Sequence, residues 1–570
     1  MDVATDDMAI DVLRSVYKAA PGTEILMDEG EPGKTAKLLH KYQHVLHGDS
    51  RILLVPQPSL TDENDPLRWP RWLKWTVLLN GILYAFNGAM TGPIMAAGMD
   101  SLSEVFQVTF TKLSYAHGAT LICQGVGTVF WMPFAVKYGR RPVYLTSNVL
   151  TGIACVWLAI ASKKNYTLFL VGRTFLGLWE APIESIVPST ITDIFYLHER
   201  GQMVSWYGLS VLGGNEIGPL VSAFVIQYLS MTWAFYIITI SIGVSLIGMI
   251  FIMPETMFTG YRPVITPVED EEQEEKEREA RQATSSVHND LTQTKDTQPR
   301  GLIDEKLNYD HQEEAGSYIP KQSYLYNLKP IVTVNYEANL WKSFRRPFVL
   351  WLYPTVLWLS VVYGMSLGWN VLLGVIVAQL FSAAPYNFTA ADQGLVYISP
   401  FIGCLIGTYI CGPIADRVAI WYTARNHGIR EPEMRLPSCL IAAIFTFSGA
   451  LILSLTYTRK THWAGPVIGF GVLSVGQQMG ATIAISYSLE CHRELSAELM
   501  VTISCLKSLV AWTWTWCGND WLSRGGLLQM YMVIAAINAV VYSGYLVFMY
   551  KGKAIRLWLH DRDFLTKFNL

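Results

Sequence analysis

Apolar runs of membrane-crossing length recur along this chain and leave it few folds to choose from. A helix needs about 20 mainly apolar residues to cross the hydrocarbon core of a bilayer. Twelve stretches meet that measure, at 73–97, 114–136, 143–161, 167–190, 202–228, 232–253, 347–380, 393–415, 437–457, 463–488, 498–521 and 527–550. In lipid each backbone polar group must be satisfied within the protein, so runs of this length imply a helical bundle. The seventh run is overlong and is expected to tilt or to pass the lipid boundary. Composition agrees: 16% of residues are charged and 51% hydrophobic, against about 25% charged in soluble domains.

A polar stretch from about 256 to 345 separates six spans from six. Its middle carries the acidic run EDEEQEEKEREAR at 269–281 and is too poor in aliphatic residues to bury a core, so the stretch is expected to be largely disordered. The resulting division is an N-terminal region 1–72, a six-helix bundle 73–253, a central loop 254–346, a second bundle 347–550 and a tail 551–570. Because that one run holds many of the acids, the formal net charge of −3 says little about partners. The bilayer is the expected environment, and no nucleic-acid partner is expected.

Cationic residues near span ends set orientation. Arg68, Arg71 and Lys74 precede the first span; Lys137, Arg140 and Arg141 follow the second; Arg345 and Arg346 precede the seventh; Arg417, Arg425 and Arg430 follow the eighth. The opposite loops are much poorer in Lys and Arg, which predicts both termini and the central loop in the cytosol. Two N-x-T sequons, at Asn165 and Asn387, fall on the outer side and are candidate glycosylation sites. The start, MDVATDDMAIDVLR, lacks a basic segment followed by an apolar one, so no cleaved signal peptide is expected. The eight cysteines show no CxxC spacing and fall in or beside apolar runs; they read as packing residues, with neither a metal site nor a disulfide framework.

Ionisable groups inside a span cost about 2.5–3.5 kcal/mol each on insertion scales, so they ask for a reason. The fourth span places Arg173, Glu180 and Glu184 at i, i+7 and i+11, on one stripe of a helix. A hydrated cavity along that stripe would let the carboxylates exchange protons while Arg173 biases their affinity; the alternative is a purely structural pairing of Arg173 with a Glu. Pro182 and Pro188 make kinks expected in the same span. Further cavity candidates are Asn80, Tyr84 and Asn87 on the first span, Glu216 on the fifth, Tyr363, Trp369 and Asn370 on the seventh, and Gln477 and Gln478 on the tenth. Lys507 reads either as a buried cation or as a snorkelling one. The AWTWTWC run at 511–517 reads as lipid-facing bulk.

The turn KYGRRPVYL at 137–145 and the segment GPIADRVAIWYTAR at 412–425 occupy the same ordinal place in the two halves, the kind of internal symmetry that repeated bundles leave in transporters. Here the chain resembles the major facilitator superfamily, whose loop after the second span carries a pattern close to G-x-x-x-D-R/K-x-G-R-R/K. Lys137, Gly139, Arg140 and Arg141 match it, while Met132 and Val136 stand where its first Gly and its Asp would be; the second copy keeps Gly412, Asp416 and Arg417. The resemblance implies that these residues fasten an inner gate. Arg173 with Gly177 resembles the family's R-x-x-x-G pattern, linked to proton coupling, and Gly214, Gly218 and Pro219 match the G-x-x-x-G-P signature of antiporters. DPLRWP, EAPIESIVP, HERG and REPEMRLP resemble the fungal twelve-span drug:proton antiporter group.

The fold expected is therefore an all-α membrane protein of the major facilitator type, twelve transmembrane helices in two six-helix bundles. The activity implied is proton-coupled efflux of small organic compounds such as drugs, toxins or secondary metabolites, by a monomer in a fungal plasma membrane, with the turn residues gating and Gly218 and Pro219 bending the fifth span. Uptake of polyamines or other organic cations, and a transporter-shaped nutrient sensor, are the alternatives. No phosphate-cradling G-x-x-x-x-G-K-[ST], H-E-x-x-H or G-x-S-x-G motif is present, so the chain reads as neither an ATP-driven pump nor an enzyme, and no cofactor is expected.

Overall fold

A computed structural model describes residues 22–25, 44–47, 50–59, 61–263, 319–336, 338–382, 384–426, 429–492, 495–562 and 564–568. Of the central loop expected to be largely disordered, residues 264–318, with the acidic run, lie outside the described residues; its described ends are ordered instead, with Glu255 bound to the backbone of Arg140 and Arg141 and helices at Tyr324–Asn327 and Leu340–Val349.

Twelve spans are present among the described residues. Span 1 is Arg71–Thr91, span 2 Phe110–Tyr138, span 3 Arg140–Ala161, span 5 Leu197–Tyr228, span 6 Met231–Ile252, span 7 Pro354–Ser382, span 9 Ser438–Thr458 and span 10 Ala464–Cys491. Span 4 is two helices, Tyr166–Glu180 and Ile183–Ile194, and span 8 runs from Ala390 to Arg425 through a π-helical turn at Ile410–Ile414. One long helix, Ser496–Ser543, is divided into spans 11 and 12 by Gly526, whose φ of 72° and ψ of 168° a side-chain-bearing residue rarely adopts. Among the described residues nine helical stretches are long and apolar enough to cross a membrane alone. Spans 1, 4 and 11 complete the twelve. Those three contribute Thr91, Arg173, Glu180, Glu184 and Lys507 to the buried polar groups described below.

Two boundaries differ from the sequence reading. The overlong seventh run is two elements: an amphipathic helix Leu340–Val349, then span 7 from Pro354. The amphipathic helix carries Lys342, Arg345 and Arg346, which precede span 7 as expected. In span 4 the helix stops at Glu180 and restarts at Ile183. Pro182 has no N–H to donate, and its ring crowds the preceding turn. Pro188 lies within the second helix without breaking it.

The helices pack closely where glycine permits it. A Cβ on Gly214 would lie 2.8 Å from the Phe86 carbonyl oxygen and one on Gly218 2.9 Å from that of Met90, so spans 1 and 5 touch backbone to backbone. Span 5 continues as one helix through Pro219, and the glycine face of Gly214 and Gly218 seats on span 1 inside the first bundle, not at the bundle interface where it was expected. The two bundles meet through spans 2 and 11, where Gly125 lies against Cys505 and Ser508, and through spans 5 and 8, where Gly213 faces Phe401 and Gly394 faces Ala223. The termini-bearing face also holds two short antiparallel pairings, Glu24–Ile25 with Ile429–Arg430 and His44–His47 with Ser50–Leu53.

Gly218→Ala places a methyl against a carbonyl that cannot yield, and overpacking of this kind costs about 1–3 kcal/mol. A lowered Tm in detergent is expected. Gly243→Ala, with nothing within 4 Å of the added Cβ, is expected to leave Tm unchanged or slightly raised.

Candidate functional site

A narrow cavity of about 50 Å³ lies in the half of the molecule remote from the termini. Its wall comes from the end of span 1 and the turn after it (Gly88, Gly92, Met95), span 2 (His117, Gln124), span 4 (Glu180, Glu184), span 5 (Val211, Asn215) and span 7 (Leu367, Asn370). That volume holds a few waters.

The break in span 4 gives its two glutamates different neighbours. Glu180 ends the first helix and is 2% exposed; its Oε2 accepts a hydrogen bond from Thr91 Oγ1 at 2.5 Å. Glu184, in the first turn of the second helix, is fully engaged. Its Oε1 lies 2.6 Å from Lys507 Nζ of span 11, and its Oε2 accepts from Tyr207 Oη at 3.2 Å and Tyr363 Oη at 3.4 Å. The Lys507 ammonium also sits over the Tyr363 ring, 4.2 Å from its centroid. Lys507 is therefore no snorkeller. It is a fully buried cation that joins the second bundle to a carboxylate of the first. Since spans 5, 7 and 11 all rise from the termini face, Tyr207, Tyr363 and Lys507 form the cavity's floor on that side.

Arg173 does not share the stripe's expected role. Its Nη1 donates to the Thr91 carbonyl at 2.8 Å and the Gly92 carbonyl at 3.1 Å, and its guanidinium lies over the rings of Phe169 and Phe235. It pins the end of span 1 and forms no ion pair with a carboxylate among the described residues. Glu216 is fully buried, its Oε1 accepting from Asn370 Nδ2 at 2.5 Å across the bundle interface. Snorkelling is excluded there too.

Several expected cavity residues point elsewhere. Asn80 Nδ2 donates to the Thr76 carbonyl within span 1; Tyr84 pairs with Ser147 Oγ of span 3 at 2.5 Å; Asn87 exchanges hydrogen bonds with Ser241 of span 6. Span 1 has only one face towards the cavity, and i, i+4, i+7 spacing put these three on the face towards spans 3 and 6. Trp369 is buried against Tyr531. Gln477 is fully buried off the cavity wall, and Gln478 lies against Gly208 of span 5 and Thr482. Of the candidates, Glu180, Glu184 and Asn370 line the cavity, and Tyr363 and Glu216 each touch a lining residue.

The glycine-and-arginine turn closes the termini face of the first bundle. Gly139 takes a φ of 96°, and the backbone N–H groups of Arg140 and Arg141 both donate to the Glu255 carboxylate, at 2.9 and 3.0 Å. An anion at a helix N-terminus is favoured by the helix dipole. Arg141 reaches the other way and donates to the carbonyls of Met249, Ile250 and Met253 at the end of span 6. Arg140 pairs with Asp193 of span 4 at 3.1 Å. Glu255, which no motif signalled, is the acid that caps the start of span 3. Lys137 lies beside the Tyr138 ring, 5.9 Å from its centroid.

In the second half, Gly412 packs on Ser205 of span 5, and Asp416 pairs with Arg435, which also contacts Glu490 at 3.0 Å. The Asp416–Arg435 pair abuts Gly201 of span 5. Arg417 is exposed, so Arg435, eighteen residues further along the chain, holds the place expected for it. The sequons lie at helix starts on the opposite face: Asn165 Oδ1 accepts from the Leu168 N–H, and Thr389 caps Ala390–Val396.

A model of the Major Facilitator Superfamily matches residues 77–511. The chain belongs to that superfamily. Among its relatives are Protein HOL1 of Saccharomyces cerevisiae, 27% identical over 91% of this chain and 93% of that protein, and the MFS transporter cpaT of Aspergillus oryzae, 26% identical over 87% of this chain and 90% of its own length. The MFS-type transporter penM of Penicillium rubens is 26% identical over 80% of each chain. Among solved structures, the proton:xylose symporter XylE is similar with a TM-score of 0.54 and 14% identity, over 85% of this chain and 96% of that one. As a major facilitator protein the chain is a secondary transporter and not an enzyme.

Removing one partner of a buried ion pair costs about 3–5 kcal/mol. Lys507→Ala is therefore expected to lower Tm sharply, and the double variant Glu184→Gln/Lys507→Ala to recover most of that loss; thermal unfolding in detergent measures both. Equal Tm for the single and double variants would disprove the coupling.

Proposed function

We propose that this transporter is proton-coupled and exports small organic compounds by alternating access, its two bundles rocking about the site between spans 1, 4, 7 and 11. The observation that carries the reading is the contact of Glu184 with Lys507 across the bundle interface. With Glu184 ionised the pair holds the bundles together below the cavity. Once a proton neutralises Glu184, the attraction is gone and Lys507 is left as a buried charge, which favours a state in which water reaches it. A second buried carboxylate, Glu180, borders the same space and provides another proton site. Each protonation thus changes the relative energy of the two states, which is what coupling requires.

Gating would fall to the two turns on the termini face, Arg140 and Arg141 with Glu255 in one half and Asp416 with Arg435 in the other. The bundles at 73–253 and 347–550, cytosolic termini, a monomeric state, glycosylation at Asn165 or Asn387 and a fungal plasma-membrane location belong to the same reading. Export rests on the antiporter-like signature of span 5. Uptake of an organic cation is the second reading, favoured by Glu180, which has no basic partner among the described residues.

The test is flux in proteoliposomes under an imposed pH gradient, with a panel of drug-like, metabolite-like and cationic compounds. Movement of compound against the direction of proton flow is expected. Glu184→Gln should abolish the gradient-driven component and spare exchange at equal pH. Gradient-driven flux unchanged in that variant would remove Glu184 from coupling, and cotransport with protons would replace export by uptake.

A further inference from the structure

We propose that the chain from Tyr324 to Leu352 is a surface belt that lies in the headgroup layer of the bilayer on the termini face and binds anionic phospholipid through Lys342 and Arg345.

The belt follows the rim of the helical bundles rather than leaving it. At its start Tyr324 Oη donates to the carbonyls of Phe251 and Ile252 at the end of span 6, at 3.3 and 3.2 Å. The carbonyls of Leu328 and Lys329 then accept from Arg141 at the start of span 3, at 2.8 and 3.1 Å. Next, the Asn335 N–H donates to the Lys137 carbonyl at the end of span 2, at 2.8 Å. The helix Leu340–Val349 follows: its Arg346 pairs with Glu498 of span 11 at 3.2 Å, and Thr502 Oγ1 of that span donates to the Pro347 carbonyl at 3.0 Å. One segment touches spans 6, 3, 2 and 11 in turn, all at the same boundary.

The helix has three unlike faces. Ser343 and Pro347, with Leu350 just beyond, are buried against the protein. Trp341, Phe344, Phe348 and Trp351, at i, i+3, i+7 and i+10, form an unbroken aromatic stripe with ring centroids 5.6, 5.9 and 5.5 Å apart. Trp341 is 66% exposed, and Leu352, next to the stripe, 52%. Phe344 also meets the exposed ring of Phe130 on span 2 at 5.6 Å. Phe130 lies eight residues inside the end of span 2, about 12 Å along a helix at 1.5 Å per residue, so the stripe reaches the acyl chains. Helices that lie in the interface bury their apolar face about 5–10 Å deep. A soluble protein would have to enter the bilayer to cover this one.

Lys342 and Arg345 make the third face. Both are exposed, flank the stripe, and form no ion pair among the described residues. Between Tyr324 and Leu352 the sequence holds four cations, Lys329, Lys342, Arg345 and Arg346, against one acid, Glu337. Long basic side chains beside a lipid-facing stripe extend to the phosphates. A headgroup that keeps its negative charge, such as phosphatidylglycerol, satisfies them; choline carries its own ammonium and cancels the phosphate. Since the belt is anchored on the first bundle through spans 2, 3 and 6 and on the second through span 11, lipid that holds it favours the arrangement in which all four contacts are made.

The test uses the full chain in phosphatidylcholine nanodiscs containing a photoactivatable phosphatidylglycerol, with cross-linked peptides mapped by mass spectrometry. Cross-links should fall on residues 340–352, and unlabelled phosphatidylglycerol should compete at least ten-fold better than phosphatidylcholine. Attraction to an anionic surface is worth about five-fold per cation, so Lys342→Gln/Arg345→Gln should cut cross-linking there at least ten-fold. Arg459→Gln/Lys460→Gln, which removes exposed cations of the opposite face, should leave it unchanged. Replacing part of the phosphatidylcholine by phosphatidylglycerol should raise Tm in the unsubstituted chain and not in Lys342→Gln/Arg345→Gln. Equal competition by phosphatidylcholine, cross-linking kept in Lys342→Gln/Arg345→Gln, or displacement by soluble glycerophosphoglycerol would overturn the lipid site. Rapid hydroxyl-radical oxidation of Trp341 in nanodiscs would show the stripe in water, open to a protein partner, and would overturn it as well.

Discussion

An ammonium and a carboxylate 2.6 Å apart, each carried by a different bundle, form the contact around which this fold is organised. Burying either charge alone in a low-dielectric interior costs several kcal/mol, and their attraction offsets that only at close range with further hydrogen bonds. Tyr207 and Tyr363 supply those bonds, one from each bundle. The arrangement is stable as a set and intolerant of partial loss. A bundle interface that depends on it is weakened by the loss of either charge.

The two helices that carry the charged members of the set, spans 4 and 11, are among those least able to stand in lipid alone. Spans 1, 4 and 11 fall outside the nine stretches that are long and apolar enough to cross unaided. Span 4 packs against both span 1 and span 11 at the polar centre. Glycines make that possible: Gly177 of span 4 lies against the Thr120 backbone of span 2, and Gly125 of span 2 against span 11. Polar function inside the membrane is thus bought with close backbone packing around it.

Closure of the termini face uses the same physics at the water boundary. A helix N-terminus attracts the Glu255 carboxylate and a helix C-terminus attracts the Arg141 guanidinium, so one turn ties spans 3 and 6 by both dipole ends. In the second half the equivalent duty falls on a side-chain pair, Asp416 with Arg435, wedged against the glycine of span 5. The halves share a position in the chain but differ in the chemistry that closes them.

Hydrophobic run length alone determined the number of spans, their order and the six-plus-six division, because a bilayer imposes one length scale on every crossing helix. The sequence also marked Glu180 and Glu184, since a carboxylate in an apolar run stands out. It could not say which of them would be paired. That depended on the break at Pro182, which puts Glu184 on a separate helix facing Lys507, more than three hundred residues away in the chain, and on the packing that sets Arg173 against the carbonyls of span 1. Asn80, Tyr84 and Asn87 looked like cavity residues because they are polar on a span, yet only the rotation of span 1 against its neighbours decides which face meets water. His117, Glu255 and Arg435 carried no motif. Their roles come from what faces them, and that is fixed by packing between helices distant in the chain rather than by local pattern.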